Sequence, residues 1–176
     1  MRVALVPTGR TEWHGMGAAL ARLFPAHDFY AVPSPEEMDS HPEGFPCNGF
    51  TSSRLTKDAP LPEAARDLVE RAAQEALGDR RREAADLVVV IDDLELTNAD
   101  QPEQVVRVFR KAVEQHLGGL GRHAVRTAAV LQEKVSFHLI VPMIEAWFFG
   151  RGISTTPPVR TCARSPALVG ADPMQV

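Results

Sequence analysis

The chain has 176 residues, 44% hydrophobic and 24% charged, with 19 Lys and Arg against 23 Asp and Glu for a formal net charge of −4. At about 150 residues per domain this is one domain, here 1–150, with a tail at 151–176, and the composition excludes collagen, coiled coil and long disorder. The charge excludes a surface positive all over, but not a local basic face for nucleic acid.

The first element is Arg2–Val6, a short apolar run of the kind buried on both faces of a parallel sheet. Pro7 to Thr11 reads as a turn, and either Thr8 or Thr11 could cap the helix that follows. Helical spacing runs from Gly15 to Phe24, with Met16, Leu20 and Phe24 on one side. A second strand is expected over 29–32, stopped by Pro33 and Pro35. Residues 33–62, rich in Pro, Gly, Ser, Asn and Asp, read as a long irregular segment of functional or inserted character. From Leu61 the pattern becomes helical, through Ala65, Leu68, Val69, Ala72 and Ala76, and Gly78 stands where a helix-ending glycine belongs.

Leu87–Ile91 is β-branched and wholly apolar, which predicts a central parallel strand. Asp100-Gln101-Pro102-Glu103 resembles a capping box with proline in the first turn, opening a helix to Leu117 that Gly118-Gly119 ends. Two more strands are expected, at Ala124–Leu131 and Val135–Val141, and a further helix or turn begins near Ile144. Alternating strands and helices predict an α/β fold, a three-layer sandwich with a mostly parallel central sheet. Ligands bind such sheets at the carboxyl ends of the strands. The longest apolar runs, Leu87–Ile91 and Leu139–Ile144, fall far short of the roughly 18 residues of a membrane helix. The start carries too short an apolar stretch for a signal peptide, so a cytoplasmic location is expected. Cys47 and Cys162 match no zinc or disulfide spacing and are expected to be free thiols.

The chemistry lies in acids placed at strand ends. Glu12 follows the first strand, and Asp92, Asp93 and Glu95 follow the central one. If those strands are neighbours, four carboxylates open onto one edge. Acids so close repel unless a cation sits among them, and hard oxygen ligands without a Cys or His cluster favour Mg²⁺ or Mn²⁺. Such an ion polarises a phosphodiester and acidifies water. The bland alternative is that the Asp pair is turn chemistry and Glu12 serves the positive end of its helix.

Glu12 after strand one, together with Asp93-Leu94-Glu95 after a later hydrophobic strand, resembles the TOPRIM domain of topoisomerases, bacterial primases, recombination-mediator proteins and overcoming-lysogenization-defect nucleases, with Glu95 in place of the second Asp of its pair. Pro142-Met143-Ile144-Glu145-Ala146-Trp147 is similar to the P-x-x-E-x-W ending of small TOPRIM-like bacterial proteins that occur in defence loci beside ATPase genes. The resemblance covers roughly 1–150. It implies Glu12 as general acid/base or metal ligand, Asp93 and Glu95 as metal ligands with Asp92 able to replace either, and Glu145 as a supporting carboxylate. It also implies a Mg²⁺- or Mn²⁺-dependent nuclease, with DNA ranked ahead of RNA, acting as an antiviral or toxic effector with an ATPase partner. A non-catalytic TOPRIM-scaffold subunit is the alternative, and a homo-oligomer stays open. Topoisomerase chemistry is rejected because the only tyrosine, Tyr30, falls in a strand. A receiver-type phosphoacceptor ranks low, since no lysine follows Lys134.

Among other residues, Arg10, His14 and Arg54 are candidates for phosphate contact, Arg10 by its bidentate fork and Arg54 by its place in the long loop. Arg107, Arg110 and Lys111 share a helix face that is either solvated or a phosphate-tracking stripe. His138 reads as a satisfied strand histidine. No Gly-Lys-Ser/Thr phosphate loop is present, which argues against ATP hydrolysis by this chain.

Overall fold

A computed structural model describes residues 1–39, 47–80 and 82–141. Four strands, β1 (Arg2–Pro7), β2 (Asp28–Ala31), β3 (Leu87–Asp93) and β4 (Val135–Ile140), pair in parallel in the order β2-β1-β3-β4. The helices are α1 (Arg10–Leu23), α2 (Pro35–Asp39), α3 (Glu63–Leu77), α4 (Pro102–Gly119) and α5 (Ala124–Lys134), with single 3₁₀ turns at Leu96–Asn98 and Gly121–His123. The α/β class with a parallel sheet is as the sequence predicts.

Strand side chains alternate between faces, and the two faces bury different partners. Ala4, Val6, Val88 and Val90 join one core with Leu68, Val69 and Ala72 of α3 and Val105, Phe109 and Ala112 of α4. Val3, Leu5 and Ile91, on the alternate positions, are buried outside that core. Leu5 there faces α1, its Cδ1 3.9 Å from where a Cβ on Gly17 would stand. Gly78 ends α3 at φ 63°, where a Cβ would meet the backbone of Arg82 and Ala84 at 2.8 and 2.6 Å.

Several boundaries differ from expectation. Ala124–Leu131 is a helix, not a strand: Thr127 and Leu131, one turn apart, are the buried pair, while Val125 is exposed. The Val residues suggested a strand, but the 3.6-residue spacing of the inward positions wins. Helix α1 begins at Arg10 rather than Gly15, with Gly9 as its N-cap and no side-chain cap from Thr8 or Thr11. Strand β3 runs two residues past Ile91, because Asp92 and Asp93 pair in register with Leu139 and Ile140. Asp100 caps nothing; Gln101 is the N-cap of α4, and Pro102 opens it as expected.

Cys47 is a free, buried thiol, whose titration burial pushes up to about 11. Within the described residues no helix is long and apolar enough to cross a membrane. The expectations for Glu145, Trp147, Cys162 and the 151–176 tail lie outside the described residues.

Candidate carboxylate site

The register of β1 on β3 builds the site. Pro7 pairs with Ile91, and the Thr8 amide donates to Ile91 O at 3.0 Å, so Thr8 comes alongside Asp92. The Thr8 hydroxyl then donates to Asp92 Oδ1 at 2.6 Å. One residue later Gly9 starts α1 with extended backbone, φ −108° and ψ 142°, and Glu12 is the third helical residue. In that position a glutamate folds back toward the N-cap. The fold-back is tight: a Cβ on Gly9 would collide with Glu12 Oε2. Both carboxylates therefore adjoin one Thr8–Gly9 turn, Asp92 by hydrogen bond and Glu12 by packing.

Both are buried. Glu12 is 4% exposed and Asp92 1%, and Glu12 Oε1 and Asp92 Oδ2 each lack a hydrogen-bond partner. Withdrawal from water is the main reason that Asp92 titrates at about 7, with the Asp93 and Glu95 charges adding to it and the Thr8 hydrogen bond opposing it. An anion in such surroundings requires a donor or a cation.

Residues 49–51 supply the cover, from the segment read as irregular over 33–62, in which Pro35–Asp39 is instead the helix α2. A Cβ on Gly49 would lie 2.8 Å from Asp92 Oδ1 and 3.3 Å from Thr8 Oγ1, so only a bare backbone fits there. Phe50 stacks on Phe137 at 6.2 Å between centroids, and Phe137 on Phe109 at 4.2 Å. The Thr51 hydroxyl donates to Asp93 O at 2.7 Å.

The four acids expected at this edge do not act alike. Asp93 is the next strand residue after Asp92, so the pleat sends its side chain to the opposite face, the one that holds Leu5 and Ile91 and that α1, the helix of Glu12, covers. Glu95 is half-buried and precedes the 3₁₀ turn. Among the described residues no three His, Cys, Asp or Glu side chains form a group placed to hold a metal. Two carboxylates nevertheless suit Mg²⁺, which is ordinarily held by one or two of them and keeps several waters. Glu12 and Asp92 each offer one buried oxygen without a hydrogen-bond partner.

Of the residues expected to contact substrate, Arg10 and His14 are exposed on the first turns of α1, flanking Glu12, with His14 edge-on to Trp13 at 4.7 Å. Arg54 is bound within the chain instead: it donates twice to Asp100, once at 2.8 Å, and to Thr97 O at 2.8 Å. A cavity of about 550 Å³ lies between α3 and α4, lined by Arg66 and Lys111 among others, and one of about 350 Å³ lies beside Cys47 and Arg71. Neither takes in Glu12 or Asp92.

Sequence reasoning missed Thr8 as the partner of Asp92, and missed Gly49, Thr51 and Asn98 altogether. The one available signal was a glycine-containing, polar loop of unusual length. No known protein family, curated protein or solved structure matches the chain.

Proposed function

We propose that the chain holds Mg²⁺ or Mn²⁺ between Glu12 and Asp92 and hydrolyses phosphodiester bonds in nucleic acid, DNA ahead of RNA. The observation that carries this reading is the pair of buried carboxylates, 80 positions apart in the sequence, that adjoin one turn with an unpartnered oxygen each. The resemblance of Glu12 and the acids after β3 to the TOPRIM pattern supports it. Asp92 takes the role that the motif spacing gave to Asp93, because Asp92 is the buried carboxylate fixed by Thr8.

A divalent ion at this position would supply the charge that neutralises a phosphodiester and acidifies water. Glu12 then serves as general base and acid: it takes the proton of the attacking water as the new P–O bond forms, and returns it to the sugar oxygen that leaves. Asp92, oriented by Thr8, would hold such an ion through its carboxylate form. Arg10 and His14 meet the flanking phosphates from the exposed turns of α1. The ATPase partner and the antiviral or toxic role rest on the resemblance alone.

The test is nicking of supercoiled plasmid with Mg²⁺ or Mn²⁺ by the wild-type chain and by Glu12→Gln. Wild type is expected to nick and the variant to fail while folding normally. A variant that cuts at the wild-type rate removes Glu12 from the reaction. The second reading, a scaffold without catalysis, is favoured by the absence of a three-ligand group among the described residues. Calorimetry separates the two, since a scaffold need not bind Mg²⁺ at millimolar concentration.

A further inference from the structure

Asn98 is fully buried, and every hydrogen-bonding position of its amide that faces the loop is used. Its Oδ1 accepts from the Leu55 amide at 2.9 Å and from Gln101 Nε2 at 2.7 Å. Its Nδ2 donates to Thr51 O at 2.6 Å and to Ser53 O at 2.9 Å. Gln101 Nε2 also donates to Leu55 O at 2.8 Å, and Arg54 closes the outer side through Thr97 O and Asp100. Three backbone groups of the irregular stretch 51–55, the Leu55 amide and the Thr51 and Ser53 carbonyls, are thereby held by one side chain from another part of the chain. Buried main-chain groups need such partners, and removing them costs more than the bonds contribute.

The segment so held is the one that passes over the carboxylates. Thr51, whose carbonyl Asn98 holds, also bonds Asp93 O, and two residues earlier Gly49 packs against Asp92 Oδ1 and Thr8 Oγ1. Phe50, between them, is pinned on Phe137. Asn98 thus sits at the root of a short, continuous chain of contacts that ends on a site carboxylate.

We infer that Asn98 is a positioning residue of the Glu12–Asp92 site: by latching residues 51–55 it seats Gly49 on Asp92 and fixes the carboxylate for a divalent ion. The inference rests on the reading of that site as an ion site, and it adds a residue that no strand-end pattern would nominate. Residues one step behind the ligands commonly change metal affinity by about 10- to 100-fold when removed.

The test uses the full chain and Mn²⁺ as the probe, with binding followed by electron paramagnetic resonance and amide hydrogen exchange followed in parallel. Asn98→Ala, together with the milder Gln101→Ala in case the first does not fold, is compared with Val113→Ala, a core truncation remote from the loop. The expected result is faster exchange over 48–55 and Mn²⁺ affinity lowered by about tenfold or more in the Asn98 variant. A smaller shift of the same kind is expected for Gln101→Ala, and wild-type affinity for Val113→Ala. Faster exchange with unchanged Mn²⁺ affinity overturns the inference, as does an equal loss of affinity in Val113→Ala. If the wild-type chain itself binds no Mn²⁺, the ion-site reading falls first, and that failure is visible before any variant is compared.

Discussion

The Thr8 hydroxyl donates to Asp92 Oδ1 at 2.6 Å, joining the end of β1 to the end of β3 across 84 positions and leaving Asp92 Oδ2 buried without a partner. One oxygen is thus committed to orientation and the other is presented. If the second oxygen faces an ion, Thr8→Val should lower Mn²⁺ affinity by about 10- to 100-fold, with Thr8→Ser restoring most of it. Calorimetric titration measures this. Equal affinity in Thr8→Val and wild type would mean that the hydroxyl does no more than satisfy a strand end.

The pleat separates Asp92 from Asp93, and the two should differ in consequence. Asp92→Asn is expected to lower plasmid nicking by roughly 100- to 10,000-fold, the range for losing a group that acts directly in such a step. Asp93→Asn should lower it less, because the Thr8 hydroxyl orients Asp92, whereas Asp93 leaves β3 on the face that α1 covers. Single-turnover nicking rates of the two variants decide the matter, and a larger loss at Asp93 would return the ligand role to the position that the motif spacing indicated.

Asp92 also sets a pH dependence. Its titration is raised from 3.8 to about 7, chiefly by burial, so the folded chain binds a proton that the unfolded chain has already released between those values. The contribution to stability is therefore full below about pH 4, falls as pH rises, and levels off above about pH 7, a change of at most about 4 kcal/mol. Urea denaturation in EDTA should show wild type losing stability relative to Asp92→Asn over this window. Millimolar Mg²⁺, which binds the anion, should oppose the loss at its upper end. A difference between the two proteins that does not vary with pH would contradict the burial of this carboxyl.

A second buried acid has a structural role. Glu75 of α3 accepts from the Tyr30 hydroxyl at 2.9 Å and from Arg82 Nη1 at 2.8 Å, and Arg82 continues to Glu37 at 2.6 Å. Burial and the Glu75 carboxylate hold the Tyr30 phenol well above its ordinary titration, so it remains a donor. Tyr30→Phe keeps the ring beneath Arg2 but strips one oxygen of Glu75 of its donor. The expected loss is about 1–3 kcal/mol in chemical denaturation, with nicking unchanged. Unaltered stability would mean that Arg82 alone satisfies Glu75.

The local patterns of this chain determined its class. The apolar β-branched runs at β1 and β3, the helical spacing and terminal glycine of α3, and the proline-opened α4 could all be read without a structure, because each depends on neighbours within a turn or two. From those came the placing of Glu12 and the 92–95 acids at one sheet edge. Ala124–Leu131 resisted such reading, since its small and β-branched residues fit either period and only burial against α3 and α4 selects the helix. The site's finer arrangement was beyond local reading. Whether Asp92 or Asp93 comes alongside Thr8 depends on the register of β1 on β3, which pairs Pro7 with Ile91. The seat of Gly49 depends on an asparagine 49 positions away, held by hydrogen bonds that form only when two irregular segments meet. Side-chain periodicity carries no trace of such contacts, so tertiary structure alone decided them.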